Sequence, residues 1–282
     1  MSLKILIFGG RGWLGSMLVE ALADHHEVIV STLRLDNTAA VKQELELLRP
    51  DRVISTVGRT HGPGSNTIDY LEGKDKLVEN LRDNLYSNVS LAVLCQQLKI
   101  HLTYMGTGCI FAYSDDKKIF TEEDEPNFYG SSYSVVKGFS DRLMKMFPLV
   151  LNVRIRMPIS SKANPRNLIT KLINYRYISS SPNSMTVLDD LIPVLVRGII
   201  NGDTGTINLV NPGTITHEEI LEIYKDVVDP SHQYTLISYE EQQKLLKSER
   251  SNTELDTTNL EKKYGPIPHI KESVRNVLMK YK

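Results

Sequence analysis

A tyrosine and a lysine four residues apart, Tyr133 and Lys137, are the pair in this sequence best suited to move a proton. The run Ser131 to Phe147 has helical periodicity, and on a helix that spacing puts both side chains on one face. A phenol with an ordinary pKa of about 10 is a weak acid at neutral pH. A neighbouring ammonium favours the phenolate and lowers that pKa, so Tyr133 could protonate a carbonyl oxygen as hydride reaches the carbon. Upstream, Gly106-Thr107-Gly108 closes an extended run, and the Thr107 hydroxyl could hold the same oxygen. Farther upstream, Gly9, Gly12 and Gly15 form a G-x-x-G-x-x-G turn between an apolar run and a helical one. Positions without a Cβ let backbone close on a pyrophosphate, whose charge meets the helix N-terminus. Candidate cofactor contacts are therefore Gly9, Arg11, Gly12, Trp13, Leu14 and Gly15, with Thr56 at the end of the third extended run and Tyr133 and Lys137 themselves.

These groups need elements to position them. From Lys4 to Pro158 the pattern alternates β-rich runs (4–8, 27–31, 52–56, 102–106, 150–157) with helical ones (13–24, 39–49, a long one ending near Leu98, 131–147). That alternation predicts an α/β fold with a doubly wound parallel sheet, whose ligands lie at the carboxyl ends of the strands. Beyond Pro158 helical stretches dominate (167–175, 187–201, 217–228, 239–247, 270–281), with one extended run at 206–211. The reading is a nucleotide-binding Rossmann domain over 1–157, to which the chain returns around 186–210, and a smaller, mixed substrate lobe over 158–282.

Composition narrows the partners. Lys plus Arg number 33 against 34 Asp plus Glu, a formal net charge of -1 that leaves no electrostatic footprint for nucleic acid or an anionic membrane. No apolar stretch is long enough to span a bilayer, and the start, Met-Ser-Leu-Lys, runs straight into a strand. A cytoplasmic protein acting on a small molecule is expected, and nothing excludes a homodimer. Its two cysteines, Cys95 and Cys109, form neither a disulfide framework nor a metal-ligand spacing. The second extended run ends Ser31-Thr32-Leu33-Arg34, without the carboxylate that NAD-specific sites present to the ribose. Arg34, with Arg11, could instead face a 2′-phosphate, which favours NADPH; the alternative for each is a solvated surface arginine.

Glycine turn, Thr107 and the Tyr133/Lys137 pair, in that order, resemble the short-chain dehydrogenase/reductase superfamily. Longer strings are similar to one family within its extended branch, the bifunctional UDP-4-keto-6-deoxyglucose 3,5-epimerase/4-reductases of UDP-rhamnose synthesis. They are Gly108-Cys109-Ile110-Phe111, Glu122-Glu123-Asp124 through Asn127-Phe128 to Tyr133, Arg154 through Ser160, Asn164-Pro165-Arg166-Asn167, Thr170-Lys171, Pro182 to Thr186, Asn211-Pro212-Gly213 and Arg250-Ser251-Asn252. The resemblance implies that Cys109 and Lys171 are the acid/base pair of the epimerisation. It further implies that Asn127, Asn167, Arg250 and Asn252 contact the nucleotide sugar, the last two at its pyrophosphate. The chemistry is coherent: a 4-keto group acidifies the hydrogens on C3 and C5, and inversion needs a base on one face of the enolate and an acid on the other. Cys109 lies two residues beyond Thr107, which puts it on the same side of the extended strand, and Lys171 lies one helical turn beyond Asn167, so both would face the same pocket. The other fates of these residues are a buried small hydrophobe, the expectation for Cys95, and a solvated helix face.

The sequence departs from the family in two places. Plant members read Gly-Lys-Thr-Gly where this chain has Gly9-Gly10-Arg11-Gly12, and the stretch Thr60 to Ile68 is longer than the family's loop. The dehydratase module that plant chains fuse to this one has no counterpart in these residues, so the resemblance implies a keto sugar supplied by a separate UDP-glucose 4,6-dehydratase. Two rivals stay open: a reductase without epimerase activity, like the dTDP-4-dehydrorhamnose reductases, and a non-catalytic NADP-binding regulatory subunit.

Overall fold

The computed structural model describes residues 2–115 and 119–281. The chain forms two compact units: one from the residues up to Thr107 with Ser132–Arg154 and Ile192–Ile207, the other from Gly108–Ser131, Ile155–Leu191 and the residues from Asn208 onward. The sequence reading put its boundary after residue 157, whereas residues 108–131 group with the second unit. No composition shift or linker marks that excursion.

Strands β1 (Lys4–Phe8), β2 (Glu27–Val30), β3 (Arg52–Ser55) and β4 (His101–Thr107) are followed by Val150–Ile155 and Gly205–Asn208. They form one six-stranded sheet in the spatial order β2-β1-β3-β4, then Val150–Ile155, then Gly205–Asn208. Pairing is parallel, with Ile5 opposite Val28 on one side of β1 and opposite Arg52 on the other. A parallel sheet is covered on both faces, which is why Ile5, Leu6, Ile7 and Phe8 read as an unbroken apolar run and are all fully buried. Leu6, Phe8 and Leu102 pack with Val41, Leu45, Leu91 and Met144 from the flanking helices. The doubly wound fold expected from the sequence is therefore present. Its chain reverses direction between β1 and β3, which places a ligand crevice at their carboxyl ends.

The long helix expected before Leu98 is Leu77–Leu81, a wider π turn over Arg82–Tyr86, and Ser87–Leu98. Its interior carries asparagines at four-residue spacing. Asn84 donates to the Arg59 carbonyl at 2.8 Å and accepts from the Arg59 amide at 2.8 Å, while Asn88 accepts from the Ser55 hydroxyl at 2.7 Å. These bonds satisfy the backbone beyond β3 and fix the crevice wall.

The second unit has its own core, with Ile159, Ile169, Met185, Val187, Ile220 and Val274 fully buried in it. Helix His217–Val227 starts at a reciprocal capping box between Thr216 and Glu219. Four two-residue strands were absent from the sequence reading: Ile119–Phe120 pairs with Glu254–Leu255, and Tyr177–Ile178 with Thr235–Leu236. Two residues carry no periodicity to detect. Helix Thr258–Tyr264 was also missed.

A fully buried ion pair lies inside the first unit. Arg154 is 0% exposed, and its Nε and Nη2 donate to the two carboxylate oxygens of Asp141 at 2.9 and 2.6 Å. Asn152 adds a third donor at 2.8 Å. Removing one partner leaves a charge buried without its counterion, which costs about 3–5 kcal/mol. Asp141→Ala should lower unfolding free energy by that amount in denaturant titration; a loss below about 1 kcal/mol would mean the pair is not desolvated as the structure has it.

Candidate active site

The glycine turn follows β1 directly, and its geometry explains its composition. Gly9 has φ +80°, and a Cβ there would sit 2.6 Å from Thr56 Oγ1; a Cβ on Gly15 would sit 2.2 Å from the Gly9 carbonyl. The Gly12 amide donates to that carbonyl at 2.9 Å, and helix Trp13–Ala23 begins with Gly12 as its cap. Thr56 also donates its hydroxyl to the Gly9 carbonyl, at 3.0 Å, so it braces the turn from across the chain reversal. The result is a closed backbone loop at a helix N-terminus, the arrangement that accepts a pyrophosphate.

Arg34 stands just beyond β2 with its side chain 62% exposed, beside Asp36 at 3.1 Å and Asp83 at 3.5 Å. Arg59 and Arg82 meet the same Asp83 at 2.6 and 2.7 Å. Burial alone would raise the Asp83 pKa, but hydrogen bonds from Arg82 and Arg59 hold it below the usual carboxylate value. Arg11 is exposed on the turn.

Thr107 ends β4, and Tyr133 and Lys137 occupy the first turns of helix Ser132–Met144; all three are buried. Lys137 donates to the Tyr104 phenol and, at 3.4 Å, to the Met105 carbonyl. Burial brings its ammonium pKa down to about 7, against the pull of Asp141. The phenol, hydroxyl and ammonium expected of a carbonyl-reducing site are thus on adjacent elements of one unit.

In the second unit, β4 has already ended and Cys109 sits in a turn rather than on a strand. Strand alternation therefore does not align it with Thr107, contrary to the sequence argument. The turn is set by Arg156, which is 1% exposed. Its guanidinium donates to the Gly108 carbonyl at 3.1 Å, the Ser251 hydroxyl at 2.8 Å and carbonyl at 3.0 Å, and Asn183 Oδ1 at 2.5 Å. Asn183 in turn donates to Asn252 Oδ1 at 2.9 Å. Burial lowers the Arg156 pKa, while Cys109 and Tyr113 lie close enough to oppose that. One guanidinium therefore ties the Cys109 turn to the Arg250–Asn252 segment. Lys171, half-buried on helix Leu168–Leu172, has its pKa lowered by burial and by the neighbouring Arg166 and Arg250 cations.

Two expected substrate contacts have structural bonds instead. Asn167 is fully buried as the cap of that helix, accepting from the Ile169 amide at 3.2 Å and donating to the Ser160 and Lys162 carbonyls at 2.7 and 3.0 Å. A cap precedes the first turn, so its side chain does not share a face with Lys171 as the four-residue spacing suggested. Asn127, exposed, clamps the Ala112 backbone with both amide atoms, at 2.9 and 3.1 Å.

Residues 5–148 match the NAD dependent epimerase/dehydratase family. The crystal structure of the L780 UDP-rhamnose synthase from Acanthamoeba polyphaga mimivirus has a TM-score of 0.96 to this chain at 50% identity, covering 99% of this chain and 100% of that one. The chain belongs to that epimerase/dehydratase family. Its relatives include the bifunctional dTDP-4-dehydrorhamnose 3,5-epimerase/dTDP-4-dehydrorhamnose reductase of Arabidopsis thaliana, 37% identical over 280 residues, which are 97% of this chain and 91% of that one. A trifunctional UDP-glucose 4,6-dehydratase/UDP-4-keto-6-deoxy-D-glucose 3,5-epimerase/UDP-4-keto-L-rhamnose-reductase of the same plant is 36% identical over 97% of this chain but only 41% of its own length.

Sequence reasoning had Arg156 only within a family string, without a role, and missed Arg59 and Tyr104. Arg156 left a trace, a charged residue in the apolar run Val150 to Ile159; the other two left none. For Arg34 we expect tighter binding of NADPH than NADH, with Arg34→Ala narrowing the ratio by about tenfold, the worth of one charge-assisted hydrogen bond. Cofactor fluorescence titration reads this directly, and equal affinities in the unaltered protein would contradict it.

Proposed function

We propose that this chain converts UDP-4-keto-6-deoxy-D-glucose into UDP-L-rhamnose by inverting C3 and C5 and then reducing the C4 ketone. The observation that carries this reading is a second set of proton-transfer groups. A reductase needs Thr107, Tyr133 and Lys137; this chain also has a thiol in the turn after Thr107 and a lysine whose pKa is lowered by burial and neighbouring cations. Similarity over nearly the whole length of the L780 enzyme supports the same substrate.

The glycine turn fits a dinucleotide, since Gly9 and Gly15 leave no room for side chains and the backbone closes at a helix N-terminus. Gly9, Gly12, Gly15, Trp13, Leu14 and Thr56 would hold it, with Arg34 and Arg11 at a 2′-phosphate, and NADPH bound there supplies hydride to C4. Lys171, easier to deprotonate than an ordinary lysine, and Cys109 serve as base and acid on the two faces of the enolate. Arg250 and Asn252 hold the pyrophosphate, an anion suited to a guanidinium fork. In the reduction, Thr107 holds the ketone oxygen and Tyr133 protonates it, helped by the Lys137 cation. A separate 4,6-dehydratase supplies the keto sugar, by analogy with the trifunctional relatives whose names include that activity. We place the reaction in the cytoplasm, with a homodimer as the working assembly.

The test uses the 4-keto sugar in deuterium oxide without NADPH. The unaltered protein should exchange hydrogen at C3 and C5, and Cys109→Ala should lose exchange at one or both by at least 100-fold, the lower range for a general acid–base group. Undiminished exchange at both carbons would remove Cys109 from the chemistry and leave a reductase.

A further inference from the structure

Lys137 is buried in the core of the first unit, 4% exposed, and a buried ammonium needs acceptors. Tyr104, on β4 and 1% exposed, provides one: its phenol oxygen accepts from Lys137 Nζ, which also lies 4.4 Å from the ring centroid. Burial, with Tyr133 and Asp141 nearby, pushes the Tyr104 phenol well above its ordinary pKa, so it stays neutral and keeps its own hydrogen. The Ser140 hydroxyl lies beside that phenol and donates to the Asn84 carbonyl at 2.6 Å, so the phenol oxygen is left to accept from Lys137. The phenol is thereby oriented with a lone pair toward the ammonium.

We propose that Tyr104 is a positioning residue for the ketone reduction: its phenol holds the Lys137 ammonium protonated and in place one helical turn from Tyr133. The proposal rests on the reading of Tyr133 as proton donor and Lys137 as its tuner. Lys137 is faced by Tyr104 and the Met105 carbonyl from β4 and by Asp141 from its own helix, with Tyr133 four residues before it on that helix; Arg154, from Val150–Ile155, bonds Asp141. Asp141 already accepts from Arg154 and Asn152, so Tyr104 is the side chain that bonds the ammonium directly.

The sign follows. Without the phenol oxygen the ammonium loses a proton more readily. Once neutral, Lys137 no longer lowers the Tyr133 pKa, and reduction slows. Single-turnover reduction at saturating NADPH, followed against pH, reads this. For Tyr104→Phe the alkaline fall in rate should move down by about one to two pH units, with NADPH affinity and the keto-sugar KM within about twofold of the unaltered protein. A purely structural role would change affinity or melting and leave the profile in place. Ser140→Ala, which removes the hydroxyl packed beside the phenol, should displace the profile in the same direction, and it carries the test if the phenylalanine variant does not fold. Lys137→Met separates the two ideas. If it reduces at the unaltered rate, the reading of Lys137 fails. If it is slow while Tyr104→Phe, or Ser140→Ala in its place, keeps the original profile, the proposal about Tyr104 alone is overturned.

Discussion

A cation withdrawn from water must find acceptors within the fold, because desolvation of an unpaired charge costs several kcal/mol. Three cations here meet that constraint in three ways, and each solution organises its surroundings. Arg154 takes a carboxylate, Asp141, and the pair locks the helix bearing Tyr133 to the strand Val150–Ile155. Lys137 takes a neutral phenol and a carbonyl, which leaves it a cation of shifted pKa rather than a neutralised ion pair. Arg156 takes carbonyls, a hydroxyl and an amide oxygen, and so gathers the Cys109 turn and the Arg250–Asn252 segment through uncharged acceptors.

This difference has chemical meaning. A lysine held by a carboxylate would be fixed as a cation and screened from the phenol it should tune. Held by Tyr104, the ammonium has a neutral partner that leaves its charge available to tune Tyr133 in the proposed reduction. In the second unit the Lys171 pKa is lowered as well, by burial and by two neighbouring guanidinium groups.

What was legible in the sequence follows the range of the interactions involved. The glycine turn, β1 and the Tyr133/Lys137 spacing are local patterns, and β1 was read with its observed bounds. Arg156 bonds residues up to 95 positions away and Tyr104 lies 33 positions from Lys137, so no spacing within a window could have joined them. Where periodicity was extended past an element's end, it misled: Cys109 was carried along a strand that stops at Thr107, and Asn167 was placed on a helix face although it is the cap. Both errors concern termini, where backbone geometry changes and the period no longer holds.

The central claim is that one chain performs both inversion and reduction on the same sugar nucleotide. The most direct measurement is product analysis by NMR after incubating the purified protein with UDP-4-keto-6-deoxy-D-glucose and NADPH in deuterium oxide, with no other enzyme present. The account predicts UDP-L-rhamnose carrying deuterium at C3 and C5, with one NADPH oxidised per sugar. A 6-deoxyhexose of unchanged configuration, with protium retained at both carbons, would contradict it.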